Sequence, residues 1–182
     1  DDARRLLEEV KELLERSKRH LTKNLEDTRR LIKELLDYAR RNLEDTRRLI
    51  EEVLDLLKRG RRSDELMRRL ERLLRESEEN VKRLIKALRD LLKESKENVD
   101  RNIKRSEELL RRVEELADRR RLPEEVKETL KRLLDEIRRE NEKVARDHKK
   151  LVDDVERELE DIERRHKELV DRARKVAEDE KK

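Results

Sequence analysis

The side chains most capable of chemistry in this sequence are its three histidines, His20, His148 and His166. A neutral imidazole binds metal ions and titrates near neutral pH, so a cluster of them would point to a metal centre or to acid–base work. His148 and His166 are 18 residues apart, which on one helix separates them by about 27 Å, too far to share an ion. There is no Cys, so thiolate ligands, disulfides and thiol nucleophiles are absent and redox compartment is left open. No Gly-rich phosphate cradle, nucleophile motif or cleft-forming loop accompanies the histidines. The expectation is therefore no catalytic residue, no metal and no cofactor.

Arginine clusters offer a second kind of chemistry, phosphate binding. Arg59-Gly60-Arg61-Arg62 and Arg119-Arg120-Arg121 each follow a predicted helix C-terminus, where the helix dipole favours cations. The 54 Lys and Arg are interleaved with 50 Asp and Glu, so the net charge of +4 is a small surplus and not a basic patch. No nucleic-acid partner is expected. No apolar run approaches the roughly 18 residues of a membrane span, and no targeting pattern opens the chain, so localisation is undetermined. A lipid-facing stripe would not carry Asn, Thr and His at fixed intervals without interfacial aromatics, so no membrane partner is expected either.

The elements that must position these side chains follow from the pattern of charge. Charged residues make up 57% of the chain and apolar residues 32%, with one Gly, one Pro, one Tyr and no Phe or Trp. Scattered charges at that density would mean disorder. Here the apolar residues recur at helical spacing almost throughout, which predicts long helices. Asn24-Leu25-Glu26-Asp27-Thr28-Arg29-Arg30-Leu31-Ile32 is repeated as Asn42-Leu43-Glu44-Asp45-Thr46-Arg47-Arg48-Leu49-Ile50. This 18-residue period is five turns of helix, so each copy presents the same face and supercoiling should be slight. The pattern predicts helices over about 2–59, 64–118 and 123–178. Gly60 ends the first and Ser63 caps the second, while Pro123 opens the third. The inward stripe of the first helix is read as Ala3, Leu7, Val10, Leu14, Ser17, Leu21, Asn24, Thr28, Leu31/Ile32, Leu35, Ala39, Asn42, Thr46, Leu49/Ile50, Val53 and Leu57. Exposed pairs such as Glu26–Arg30, Glu44–Arg48, Glu71–Arg75 and Glu78–Lys82 have the favourable i,i+4 order. Two short turns make the fold class all-α: a single antiparallel, up-down-up three-helix bundle of long, nearly straight helices.

Folding the helices back at the two turns places polar residues at common heights. Asn24, Thr28, Ser95, Asn98 and His148 form one layer, and Asn42, Thr46, Ser77, Asn80 and His166 form its equivalent 18 residues along. Ser17, His20, Asn102, Ser106 and Asn141 make a third, less regular layer. A buried polar group without a partner costs about 1–3 kcal/mol, so such layers disfavour shifted registers more than they add stability.

Near-verbatim 18-residue units, Glu/Lys/Arg-filled faces, one Gly turn, the Leu122-Pro123-Glu124-Glu125 helix start and layered Asn, Ser, Thr and His residues resemble computationally designed helical bundles. The resemblance covers the whole chain. It is most specific at Asn24/Thr28, Asn42/Thr46, Ser77/Asn80, Ser95/Asn98 and His148/His166. It implies a structural or assembly purpose. Two readings stand: a monomeric structural rod that requires no partner, or a module that binds a further helix or self-associates. The apolar width of the first helix, at Leu6, Leu13, Leu25, Leu36, Leu43, Leu54, Leu56 and Tyr38, is what keeps the second open. Buried neutral imidazoles should also resist protonation, giving a core weaker near about pH 4–5 than at about pH 7.5, whether or not a switch is intended.

Overall fold

The structure is a computed structural model that describes residues 2–181, with side chains described over 4–179. The expectations for Asp1, the Ala3 side chain and Lys182 lie outside the described residues. Three helices account for nearly all the rest: α1 (Asp2–Lys58), α2 (Asp64–Arg119) and α3 (Glu124–Lys181). They pack pairwise as a three-helix bundle.

The two turns show different chemistry. At the end of α1, Gly60 adopts φ 78°, and the Arg61 and Gly60 amides donate to the carbonyls of Leu56 and Leu57 at 3.2 and 3.1 Å. This is the paired Schellman closure that a left-handed glycine permits. Ser63 then caps α2, its Oγ accepting from the Leu66 amide at 3.1 Å. Between α2 and α3 no glycine is present, and Arg121 itself takes φ 46°, a left-handed backbone that costs a side-chain-bearing residue about 1–2 kcal/mol. Pro123 stands just before α3 and not as its first residue; its carbonyl accepts from the Val126 and Lys127 amides. The last helix also runs past the expected end at residue 178, because its charged tail contains no glycine, proline or cap to stop it.

The chain divides into two compact units, each with a segment of all three helices. Unit 1 comprises Asp1–Arg30 and Lys93–Val152; unit 2 comprises Leu31–Leu92 and Asp153–Lys182. In unit 1 the core joins Leu14 of α1, Leu110, Val113 and Ala117 of α2, and Leu130 and Leu134 of α3, closed by Leu122 from the turn. In unit 2 Ile50, Val53, Leu54 and Leu57 meet Met67, Leu70 and Leu74 and, from α3, Leu169, Val170 and Ala173. Each fully buried Leu or Ile here is worth about 1.5–3 kcal/mol relative to exposure. The inward stripe of α1 is turned slightly from the sequence expectation: Ile32, Ile50, Leu36, Leu43 and Leu54 are buried, whereas Leu31 and Leu49 are exposed.

Ion pairs show the helix directions. Within unit 2, α1 and α3 numbers rise together, from Arg40–Glu158 to Glu51–Arg172. Along α2 and α3 they run oppositely, from Glu78–Arg174 to Arg89–Glu156. The expected Glu78–Lys82 pair along α2 is therefore replaced by a bond across to α3. These pairs are solvent-exposed and individually worth about 0–1 kcal/mol.

Candidate functional site: the buried polar pairs

The inward positions of α2 and α3 are apolar except at a few points, and there hydroxyl meets imidazole. In unit 2, Ser77 Oγ lies 2.9 Å from His166 Nε2, both residues buried. The Ser77 hydroxyl also donates to the Leu74 carbonyl at 3.0 Å. Its single proton is thereby committed, so the oxygen must accept from His166, which fixes that ring with a proton on Nε2. The same ring lines a surface groove with Glu78, Val81, Lys82 and Ile85.

In unit 1, Ser95 Oγ lies 3.1 Å from His148 Nε2, again with both residues buried. Here His148 Nδ1 is buried without a hydrogen-bond partner. Either tautomer leaves one ring nitrogen unsatisfied: an orphan acceptor if Nε2 carries the proton, an orphan donor if Nδ1 does. A third buried bond runs from Asn141 Nδ2 to Ser106 Oγ at 2.9 Å, also within unit 1.

Helix α1 does not complete these layers. His20 and Asn24 are exposed and bond to each other along α1, at 3.3 Å. Ser17, Thr28, Asn42 and Thr46 are half-buried, and among the described residues none of them hydrogen-bonds to α2 or α3. On α2, Asn80 and Asn98 are exposed, and Asn98 instead accepts from Arg101 one turn away. Asn102 is half-buried without a bond to Asn141, whose partner is Ser106. The expected layers of five thus contract to pairs between α2 and α3. The reason is geometric. Residue numbers give height along the helices, whereas bonding also needs the right bearing around each axis, and Asn24, Asn42, Asn80 and Asn98 sit on the outer edge of the stripe.

Burial holds both buried imidazoles below their ordinary pKa, since a charged ring is poorly solvated inside the core. For His148, Asp100 partly offsets this while Arg29 adds to it; for His166, Glu78 partly offsets it. The sequence gives no reason to place Asp100 or Arg29 beside a histidine, and it presents Glu78 only as a partner for Lys82, although Glu78 directly follows Ser77. The arrangement is a set of buried hydrogen bonds that join α2 to α3 within each unit. Among the described residues no group of three or more His, Asp or Glu is placed to hold a metal ion. No helix among them is long and apolar enough to cross a membrane.

No protein-family model matches this sequence, and no curated protein sequence matches it. Among solved structures, one described as a computationally designed three helix bundle is similar over 98% of this chain and 81% of its own, with 21% identity and a TM-score of 0.50. At that identity the likeness speaks to the fold alone, and the fold is a three-helix bundle.

Proposed function

We propose that this chain is a designed, non-catalytic structural scaffold in which buried hydroxyl–imidazole pairs specify how α2 and α3 align. One observation carries the reading: Ser77–His166 and Ser95–His148 are the same bond, made 18 residues apart on both helices. On a backbone that repeats every five turns, leucine packing alone discriminates weakly against a slide of one unit. A slide that separates serine from histidine strands buried polar atoms, at about 1–3 kcal/mol for each. The pairs therefore act mainly against wrong alignments, as isolated polar residues do in coiled coils. The near-verbatim repeats and the likeness to a designed bundle support the designed origin.

Spin labels at Arg83 and Glu160, both exposed and both in unit 2, test the alignment by the distance between them. The parent protein, its labelled chains diluted into an excess of unlabelled chains so that only distances within one chain are read, should give one narrow distance. Replacing Ser77 and Ser95 by Ala and His148 and His166 by Leu should preserve helicity and stability yet broaden the distribution or add a second distance. A single unchanged distance in that variant would refute the specifying role.

A further inference from the structure

The α1–α2 seam differs from the other two in both units. Ion pairs cross the α1–α3 seam at Lys18–Glu140 in unit 1 and Arg40–Glu158 in unit 2. Others cross the α2–α3 seam at Glu114–Arg138 in unit 1 and Glu78–Arg174 in unit 2. Among the described residues no ion pair joins α1 to α2. The exposed large apolar side chains fall on those same two helices: Leu13, Leu31, Tyr38 and Leu49 on α1 and Leu116 on α2.

In unit 2 the placement is specific. Leu31 and Leu49 are 46% and 41% exposed, and they lie on the edge of the α1 stripe away from Arg40 and Glu51, which reach α3. Asn42 follows Leu31 by eleven residues, close to three turns, and so shares that edge. On α2 the edge away from Glu78 and Arg89 carries exposed Asn80 between half-buried Leu73 and Leu91. Unit 1 repeats the arrangement with Leu13 and Asn24 on α1, and Asn98 and Leu116 on α2. Asparagine flanked by leucine on a five-turn period is the pattern of an inward stripe, yet here none of these amides bonds to a neighbouring helix.

Charge bears on what covers the seam. In unit 2 the outer rim on α1 is mainly acidic, with Glu34, Asp45 and Glu52; in unit 1 Arg16 takes the position equivalent to Glu34 and balances Asp27. The outer rim on α2 carries Arg69 and Arg83 in unit 2 and Arg101, Arg105 and Arg112 in unit 1, diluted by Glu76 and Glu94. A twofold axis over the seam and parallel to the helices sets the α1 rim of one copy against the α2 rim of the other, so in unit 2 acid meets base twice. The net charge of +4 is too small to oppose this. We propose that two copies of this chain associate through the α1–α2 seam, burying Leu31 and Leu49 and giving Asn42 and Asn80 hydrogen-bond partners in the second copy.

Light scattering across about 1 to 200 µM should show a mass of two chains, with dissociation only at the dilute end. Leu31→Glu with Leu49→Glu alters side chains already largely in water, so helicity should be retained while dimerisation weakens by about 100-fold or more. Glu160→Lys, exposed on α3, should leave the dimer intact and serves as the control. A mass of one chain throughout, as a dedicated partner helix would imply, overturns the proposal. So does a mass above two chains, or a dimer indifferent to the double substitution.

Discussion

In unit 2 the Ser77 hydroxyl donates a hydrogen bond to the Leu74 carbonyl and accepts one from His166, while the chain enters α2 through a left-handed glycine and a serine cap. In unit 1 the same kind of serine holds His148 by one nitrogen and leaves the other stranded, and the chain enters α3 through a left-handed arginine. Written from one repeat, the two units thus differ in how completely they satisfy their polar groups and their backbone. Shared residue types do not guarantee shared satisfaction; one proton acceptor or one missing Cβ separates the two cases.

The largest expected effect tests the histidines. Ser95→Ala adds a stranded Nε2 to a ring whose Nδ1 is already unpartnered and shut away from water, and should cost about 2–3 kcal/mol in denaturant unfolding. Ser77→Ala likewise strands one nitrogen, but the His166 ring lines a groove where water can take the place of the lost hydroxyl, so the cost should be about half as much. Equal losses would erase the contrast between the units.

Acid should widen the same gap. Both folded imidazoles sit below their ordinary value, so the unfolded chain binds protons first as pH falls through about 6.5. Stability is therefore fully present above that pH and declines below it, towards the folded pKa of each ring. Guanidinium midpoints should be lower at about pH 5 than at about pH 7.5. Protonation leaves the His166–Ser77 bond intact, because Nε2 is already the donor there. A protonated His148 carries a buried Nδ1–H with nothing to receive it, whichever neutral tautomer precedes it. His148→Asn should accordingly remove more of the pH dependence than His166→Asn, and the reverse ranking would mean the orphan nitrogen finds a partner.

The turns give the smallest effects, of opposite sign. Gly60→Ala should destabilise by about 1 kcal/mol through backbone strain alone, since nothing lies within 4 Å of the added Cβ. Arg121→Gly should stabilise by up to about 1 kcal/mol by relieving the left-handed arginine. Thermal melts of the two variants moving in the same direction would break the comparison of the turns.

Much of this was readable beforehand, for identifiable reasons. Helix extents followed from a strict period bounded by Gly60, Ser63 and Pro123, each with a backbone reason to stand where it does. The Ser–His pairing followed because constant rise turns residue number into height. Bearing around the axis is not readable to the same accuracy: the sequence offers Leu31/Ile32 and Leu49/Ile50 as adjacent candidates, and the structure buries only the isoleucines. The same shift carries Asn24 and Asn80 out of the core. The cross-helix role of Glu78 was hidden for a related reason, since a surface acid has partners both along and across helices and only packing chooses.

The five-turn period has one more consequence. Inserting one further 18-residue unit into each helix returns every later side chain to its former bearing, so the core stripe continues without a seam and another serine–histidine bond can be added with each increment. Length then becomes an adjustable dimension, graduated in steps of about 27 Å, with each added bond a mark on the scale.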